Sequence, residues 1–373
     1  MNSVPNKSYR LESLDILRGF DLFLLVGLQP ILVAIGQVWD NEFYHGFLYQ
    51  FDHEIWAGFR LWDLIMPLFL FMTGVTIPFS LDNKKGGAGG PIYRHILRRF
   101  LILWLLGMVM QGNLLSWDWQ QFKLYSNTLQ AIAMGYAVTA VLYFNLGIRK
   151  IVMMAIFLLV VYAVPFMLDG NFSEQDNFAI RLDRMLLGRF MDGAYWGDGQ
   201  VVFSQHYNYT WLWSSLTFSV TVMMGCLAGK LMKDGVKVIP ERVFRQLVLL
   251  GVICIGLGLL WSIQMPIIKK IWTSSMTLFS GGICFLLMGL FYYIIDLKKI
   301  VKPFQWLKIY GMNSIVAYFL GEMLNFRSVV HSLTYGLESM LPQYQELILT
   351  IGNFTLVFLM LLALYKVKVF VKI

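Results

Sequence analysis

Residues 51–81 read FDHEIWAGFRLWDLIMPLFLFMTGVTIPFSL. The first third of this stretch is polar and aromatic and carries His53, and an apolar run follows from Leu61 to Leu81. A membrane-spanning helix needs about 20 mostly apolar residues, so this run is long enough to cross a bilayer. Asp63 is the one acidic residue inside it. The stretch therefore predicts a transmembrane helix with an imidazole at its mouth and a carboxylate one or two turns inside.

Two interpretations of His53 and Asp63 are open at this point. A carboxylate inside a bilayer is costly unless it faces protein or water, which favours a functional role. Alternatively, Asp63 caps the start of the helix and His53 is an ordinary residue of the membrane interface. The residue types alone do not choose between these two interpretations.

The composition of the whole chain is typical of a membrane protein. Hydrophobic residues make up 58% of the 373 residues and charged residues only 14%, whereas soluble domains average about 25% charged residues. Cys226, Cys254 and Cys284 all lie in apolar runs, which indicates neither a disulfide framework nor a metal cluster. We therefore expect an all-α, polytopic helical bundle with no metal and no nucleic-acid partner.

Apolar runs predict about ten transmembrane helices in one domain that spans residues 1–373. The first helix carries Asp15, Arg18 and Asp21 near its start and has no convincing cleavage site, so we interpret it as a retained helix and not as a signal peptide. The predicted spans are 14–36, 61–81, 97–112, 127–146, 150–168, 211–232, 244–263, 274–295, 308–325 and 345–365.

The distribution of lysine and arginine predicts the orientation of these helices. With the N-terminus in the cytoplasm, most of the 30 Lys and Arg residues fall on cytoplasmic segments, as the positive-inside rule requires. Both termini are then cytoplasmic, and His53 lies on the opposite side. The longest loop on that side, about residues 169–210, is rich in aromatic residues. It could hold a sugar or pack as a lid on the bundle.

Polar residues also occur within the other predicted helices. Arg94 and Arg98 lie one turn apart at the start of the third span. They either anchor its cytoplasmic end or form a cationic rim for a phosphate-bearing ligand. Gln29 precedes Pro30, and a proline kinks a helix, which could direct the amide of Gln29 into a cavity.

The ninth predicted span carries Asn313, Ser314 and Glu322. Small polar residues in membrane helices often only join neighbouring helices through hydrogen bonds. A carboxylate within a membrane helix is harder to explain in that way. We therefore regard Glu322 as the stronger functional candidate of the three.

An ordered set of motifs resembles a known family of transmembrane acyltransferases, the heparan-α-glucosaminide N-acetyltransferases. Each motif is weak by itself, but the set occurs in the same order over essentially the whole chain. The motifs are RLESLDILRG at 10–19, the stretch 51–74, LLSWD at 114–118, TLQ at 128–130, LDRMLLG at 182–188 and YGMNSIVAY at 310–318.

The resemblance implies an enzyme that takes acetyl from cytosolic acetyl-CoA and delivers it to an amino sugar on the far side of the membrane. The family's active histidine falls on His53 and its nearby acid on Asp63. A family asparagine is replaced by Gln29, which keeps an amide. Glu322 stands where animal members carry histidine, and the residue after Gln130 lacks the arginine of the family motif. The departure at Glu322 affects the residues expected to contact the acceptor, and the one after Gln130 affects those expected to contact CoA.

The residues we expect at the site fall into three groups. The catalytic candidates are His53, Asp63, Gln29 and Asn313, with His53 either a general base or a transient acetyl carrier. The CoA-binding candidates are Arg98, Arg94, Arg18, Gln130 and Ser314. The substrate-binding candidates are Glu322, Trp56, Asp183 and Arg184.

The expected partners are acetyl-CoA as co-substrate, an amino sugar or glycan acceptor, and the lipid bilayer, with a homodimer left open. The extra N-terminal lumenal domain of the animal members has no counterpart here, so we expect a bacterial inner-membrane homologue whose His53 faces the periplasm. Two alternatives remain: O-acetylation of a surface polysaccharide, and sugar or proton-coupled transport that uses the intramembrane acids as relays.

Overall fold

A computed structural model of the protein describes residues 11–39, 41–82, 89–205, 209–235 and 239–371, the side chains of residues 338 and 339 excepted. Regular structure in these residues is mostly helical. The chain divides into two compact units, one from Met1–Ile31 with Leu287–Lys372 and the other from Leu32–Leu286. The chain passes between the units within α2 (Gln29–Val38) and within α11 (Ser274–Phe291).

The larger unit carries the stretch around His53 and is built mainly of long apolar helices. Its helix α4 (Ile65–Leu81) has buried residues on every side, as expected for a helix that is apolar all round. A short antiparallel hairpin, with Ala194 opposite Phe203, lies between two of the helices in sequence. The elements are α3 (Glu42–Leu48), α4 (Ile65–Leu81), α5 (Gly89–Met110), α6 (Thr128–Leu146), α7 (Ile148–Asp169), α8 (Phe178–Leu187), β1 (Ala194–Gly197), β2 (Gln200–Phe203), α9 (Ser214–Gly235) and α10 (Pro240–Ser262).

Helix α9 is the centre of the larger unit, and it packs against α4, α6 and α7. Gly74 of α4 faces the carbonyl group of Val222, and Gly225 of α9 faces the carbonyl group of Phe71. A methyl group at either glycine would overlap the carbonyl oxygen opposite. Helices α4 and α9 therefore approach at backbone distance, which small residues at a membrane helix interface allow.

We expect Gly225→Ala to destabilise the protein by about 1–3 kcal/mol, because the added methyl group must push α4 away from α9. Gly256→Ala in α10 is the matched control, since a methyl group there meets no atom of the described residues within 4 Å and alanine forms helix better than glycine. Thermal unfolding of the detergent-purified variants measures the difference. Equal melting temperatures for the two variants would contradict the close α4–α9 contact.

The smaller unit has a second glycine crossing of the same kind. Gly19 faces the carbonyl group of Leu307, and Gly311 faces the carbonyl group of Asp15, so the first helix and the helix of Gly311 also pack at backbone distance. The elements of this unit are α1 (Glu12–Phe23), α12 (Gln305–Met312), α13 (Ser314–Glu322), α14 (Arg327–Met340) and α15 (Gln345–Lys366).

The first helix is continuous but irregular near the predicted kink. A π-helical turn, Leu24–Leu28, joins α1 to α2 immediately before Gln29. Pro30 has no N–H to donate to the carbonyl group of Val26, so the regular hydrogen-bond ladder is interrupted there. The irregularity thus falls one turn earlier than the proline itself.

Eight helices of the described residues are long and apolar enough to cross a membrane, which is the pattern of a multi-pass membrane protein. Two predicted spans are not among them. Most of residues 97–112 lie in α5, which is 22 residues long but carries three arginines. Residues 308–325 are divided at Asn313 into helices of 8 and 9 residues, and each is too short to cross alone. The eight helices are Glu12–Val38, Leu61–Leu81, Thr128–Leu146, Ile148–Asp169, Ser214–Gly235, Pro240–Ser262, Ser274–Leu297 and Pro342–Lys366.

Candidate active site

His53 and Asp63 are in direct contact at the entrance of the Leu61–Leu81 helix. His53 follows a short 3-10 turn, and Asp63 lies in the turn Leu61–Leu64 that leads into α4. The distance from His53 Nδ1 to Asp63 Oδ1 is 2.9 Å. The carboxylate is fully buried, whereas 44% of the histidine side chain is exposed. The contact occupies Nδ1, which makes Nε2 the ring nitrogen that can face a reactant.

The carboxylate of Asp63 is fixed from its other side by the backbone. Its Oδ2 accepts hydrogen bonds from the N–H of Arg60 at 3.1 Å and from the N–H of Glu54 at 3.2 Å. One oxygen therefore caps the turn that starts the helix, and the other holds the imidazole. The capping contact that one interpretation predicted is present, and the same side chain also binds His53 through its other oxygen. A functional role for the pair stays a prediction.

Lys269 completes the cluster, although nothing in the sequence analysis assigns it to the site. Its Nζ lies 3.1 Å from Asp63 Oδ1 and 2.9 Å from His53 Nδ1. The side chain is 8% exposed. Burial lowers the pKa of the Lys269 ammonium, and the negative charge of Asp63 opposes that shift. The sequence feature that could have indicated Lys269 is a pair of lysines, 269 and 270, on a loop that the positive-inside rule places on the same side of the membrane as His53.

A short backbone pairing brings Lys269 to the histidine. Ala57 forms an isolated antiparallel bridge with Ile268, and the N–H of Gly58 donates to the carbonyl oxygen of Ile267 at 2.9 Å. The loop between α10 and α11 is thereby aligned with the loop that follows His53. The position of Lys269 is set by this backbone register and by its ion pair with Asp63.

Arg60 is a second buried cation near the site, and it is neutralised locally. Its Nε and one terminal nitrogen donate to the two oxygens of Glu54, at 3.0 and 3.2 Å. The guanidinium also lies 3.5 Å from the centre of the Tyr49 ring. This bidentate pair closes the loop between His53 and Asp63.

Trp56, a predicted substrate-binding residue, contacts the loop that follows α7. Its indole Nε1 donates to the carbonyl oxygen of Phe172 at 2.8 Å. Lys270 lies 5.8 Å from the centre of the Trp56 ring and pairs with Glu174 at 2.7 Å. These contacts connect the His53 loop to the start of the long loop at about 169–210.

The arrangement provides a partly exposed imidazole held by a buried carboxylate, which is the pattern of a general base or nucleophile with an orienting acid. Within the described residues, no group of three or more His, Cys, Asp or Glu side chains is arranged to hold a metal ion. The chemistry that these side chains offer is proton transfer at the imidazole and charge stabilisation by the carboxylate.

Comparison with known proteins finds a match over the segment that holds His53 and Asp63. Residues 10–184 match the family model described as heparan-alpha-glucosaminide N-acetyltransferase, catalytic. This matched segment, slightly less than half of the chain, is therefore similar to that family. The family segment includes His53 and Asp63, whereas Lys269 lies outside it.

Two curated relatives extend the likeness beyond this segment. The heparan-alpha-glucosaminide N-acetyltransferase of Mus musculus is 24% identical over an alignment that covers 98% of this chain and 60% of the relative. The Homo sapiens protein of the same name is 23% identical, with 83% of this chain and 52% of the relative covered. The chain thus spans between half and two thirds of the length of these relatives.

Gln130, a CoA-binding candidate within the family segment, is fully buried. Its Oε1 accepts from the N–H of Ser126 at 2.9 Å, and its Nε2 donates to the carbonyl oxygen of Leu124 at 2.8 Å. Both ends of the amide therefore hold the turn that precedes α6. A contact of Gln130 with CoA stays a prediction.

Arg94 and Arg98 have the placement that their spacing predicts. Both are exposed, and they lie one turn apart near the start of α5. The neighbouring Arg99 instead lies over the ring of Tyr136, with 4.2 Å between the guanidinium carbon and the ring centre. Binding of phosphate by Arg94 and Arg98 stays a prediction.

Asp183 and Arg184, predicted to bind substrate, have different surroundings. Asp183 is fully buried, and its two oxygens accept from the N–H groups of Trp211 at 2.7 Å and Leu212 at 3.2 Å. Burial raises the pKa of Asp183 to about 7, although those two hydrogen bonds oppose the shift. Through these two hydrogen bonds Asp183 anchors the backbone that leads into α9. The Arg184 guanidinium lies 5.2 Å from the centre of the Phe203 ring.

Asp183 predicts a dependence of stability on pH. Because its pKa in the folded protein, about 7, lies above the ordinary value of 3.8, folding favours the protonated acid. That contribution is complete below about pH 4 and is lost as the pH rises through 7, at about 1.4 kcal/mol per pKa unit. We expect the melting temperature to fall between pH 5 and pH 8 in the parent protein, and to fall less in Asp183→Asn. Asp198→Asn, at an exposed position, should keep the parent slope; equal slopes in all three proteins would contradict the prediction.

The remaining candidates belong to the smaller unit. Arg18 Nη1 lies 3.9 Å from Asp15 Oδ1. Asn313 is buried and pins the C-terminal segment, because its Oδ1 accepts from the N–H of Val371 at 2.9 Å and its Nδ2 donates to the carbonyl oxygen of Val369 at 3.0 Å.

Three further candidates of the smaller unit lie on its helices. Gln29 is half-buried at the first position of α2, Ser314 is half-buried at the first position of α13, and Glu322 is exposed at the last position of α13. The roles proposed for them in catalysis, CoA binding and substrate binding stay predictions.

Proposed function

We propose that the protein is a membrane acetyltransferase that moves acetyl from acetyl-CoA to the amino group of a sugar. Two observations support the proposal: residues 10–184 match the model of an N-acetyltransferase catalytic family, and that segment holds the His53–Asp63 pair at 2.9 Å. The observation that carries it is this pair, because an imidazole held by a buried carboxylate has the geometry that proton removal from an acceptor requires.

In direct transfer, the acceptor nitrogen attacks the thioester carbonyl while His53 Nε2 takes the proton that the nitrogen loses. The imidazolium that forms keeps its Nδ1–H bonded to Asp63, which stabilises the positive charge. The C–S bond then breaks, and the CoA thiolate takes the proton back from Nε2, which returns His53 to its neutral form. In the alternative sequence, Nε2 attacks the thioester carbonyl and CoA leaves as the thiolate; the amine then attacks the acetyl-imidazole, the bond to Nε2 breaks, and the freed Nε2 takes the amine proton. The same side-chain pair serves both sequences.

The order of elements along the chain supports transfer across the membrane. The His53 loop precedes the Leu61–Leu81 helix, and Arg94 and Arg98 follow that helix at the start of α5. The helix has 21 residues, so its ends are separated by roughly 30 Å at 1.5 Å per residue. CoA phosphates near the arginines and an acceptor near His53 would therefore meet from opposite faces, with the N-terminus cytoplasmic. In a bacterial cell, His53 would face the periplasm.

The test is acetylation by the detergent-purified protein with acetyl-CoA and a panel of amino sugars and oligosaccharides, read by mass spectrometry. We expect an acetylated product from glucosamine-type acceptors and none from the matched sugar with a hydroxyl in place of the amine. Acetylation of that second sugar would instead support an O-acetyltransferase that acts on a surface polysaccharide.

Ligand binding provides a readout that does not depend on the acceptor. A ligand that binds only the folded state raises the melting temperature, so we expect acetyl-CoA to raise it. The absence of any acetylated product together with no thermal shift at saturating acetyl-CoA would contradict the proposed function and would favour a transporter.

A further inference from the structure

We propose that Lys269 is a positioning residue that keeps the imidazole of His53 neutral and therefore ready to accept a proton. The inference deepens the proposed function, since it concerns the same histidine. It rests on the triangle of Nζ of Lys269, Nδ1 of His53 and Oδ1 of Asp63, whose sides are 2.9, 2.9 and 3.1 Å.

Hydrogen-bond accounting shows why this triangle matters. The lysine ammonium only donates, the carboxylate only accepts, and Nδ1 of a neutral imidazole does one or the other. When Nδ1 carries the proton it donates to Asp63, and when it does not it accepts from Lys269. Each tautomer of the neutral ring therefore has a partner for Nδ1. The tautomer bonded to Asp63 leaves the Nε2 lone pair available to a reactant.

The opposite charges of Asp63 and Lys269 also help to keep the ring neutral. Asp63 alone would favour the imidazolium, since an opposite charge within about 4 Å stabilises a cation. Lys269 places a positive charge at the same distance from the ring and cancels much of that effect. A buried ammonium is costly unless it is paired, so the 3.1 Å contact with Asp63 explains why Lys269 stays at this position.

Other charged groups near His53 do not perform this task. Asp52 is largely exposed, and its Oδ1 accepts from the N–H of His53 at 2.7 Å. Glu54 and Arg60 neutralise one another. Burial raises the pKa of the Tyr209 hydroxyl, and the charges of Asp63 and Asp52 add to that shift, so Tyr209 is neutral at ordinary pH. Lys269 is thus the cation that contacts the ring directly among the described residues.

The experiment measures the neutral fraction of His53 without using acetyl transfer. Diethylpyrocarbonate reacts with neutral imidazole, and mass spectrometry resolves the modified His53 peptide over a pH series. In Lys269→Gln, which keeps a donor for Asp63 but removes the charge, we expect the midpoint of His53 modification to rise by about one pH unit or more. In Lys269→Arg, which keeps the charge, we expect a smaller rise. His331 in the same samples is the internal control, and its midpoint should not move.

A second comparison covers the case in which Lys269→Gln does not fold because Asp63 is left buried without its cation. The midpoint of His53 in Asp63→Asn, where Lys269 is retained, is compared with that in the double variant Asp63→Asn/Lys269→Met, where both charges are absent. We expect the midpoint to be higher in the double variant by about one unit.

The outcomes separate this inference from the proposed function. Unchanged His53 midpoints on removal of the lysine charge, in either comparison, would overturn the role of Lys269 even in an active acetyltransferase. Shifted midpoints in a protein that acetylates no acceptor would support the role of Lys269 and leave the proposed function without support. If the enzyme is active, the acidic limb of kcat/KM should move upward in Lys269→Gln together with the His53 midpoint.

Discussion

Replacing His53 with glutamine is expected to lower the rate of acetyl transfer by roughly a thousandfold and to leave the protein folded, because a positioned general base contributes about 10²–10⁴-fold to a rate. Glutamine keeps a polar side chain of similar length but cannot take a proton at neutral pH. Since 44% of the His53 side chain is exposed, the substitution leaves no large cavity. The fold should therefore survive while proton transfer is lost.

The measurement compares initial rates of acetyl transfer for the parent, His53→Gln and the matched control His331→Gln. His331 lies on α14 at an exposed position, so its loss should not change the rate. Melting temperatures with and without acetyl-CoA show whether each variant is folded and still binds the donor. A folded His53→Gln protein with the parent rate would exclude the histidine from the reaction.

The second large effect is expected for Asp63→Asn, in both activity and stability. An amide cannot hold the imidazole as the carboxylate does, and the equivalent change in a serine-protease triad lowers kcat about 10⁴-fold. The variant also leaves Lys269 buried without its anionic partner. Breaking a buried ion pair by removing one partner costs about 3–5 kcal/mol. We therefore expect a slow and less stable protein.

The double variant Asp63→Asn/Lys269→Met separates these two effects. With both charges removed, no unpaired buried charge remains, so most of the lost stability should return. Activity should not return, because the imidazole still lacks its carboxylate. Thermal unfolding and acetyl-transfer rates of the four proteins form a double-mutant cycle. A double variant as unstable as Asp63→Asn would show that the Asp63–Lys269 pair does not couple, against the 3.1 Å contact.

Properties that depend on neighbouring residues along the chain could be predicted from the sequence. Apolar runs predicted the eight helices that, in the described part of the chain, are long and apolar enough to cross a membrane. The ten-residue separation of His53 and Asp63 was also enough to predict that the two side chains lie near each other, because a short loop leading into a helix keeps such residues close. The spacing of Arg94 and Arg98 likewise predicted that they lie one turn apart on the same side of a helix, and both are exposed on α5.

Partners that are distant in sequence could not be predicted in this way. Lys269 is 216 residues from His53, and its position depends on the pairing of Ala57 with Ile268. Asp183 and Gln130 looked available for ligands, but the backbone groups that bind them are visible only in three dimensions. The division of the ninth predicted span at Asn313 was not predicted either, and the Asn313 amide binds a segment more than 50 residues away.

The amino-acid sequence by itself determined a helical membrane protein with a histidine at the mouth of one span, because hydropathy and helical spacing are local properties. It predicted Asp63 one or two turns inside that span, whereas the structure places Asp63 in its first turn. Only the tertiary structure decided that a buried lysine, Lys269, contacts both His53 and Asp63. That lysine is brought to the site by the register of two loops, and register depends on the packing of helices that are far apart along the chain.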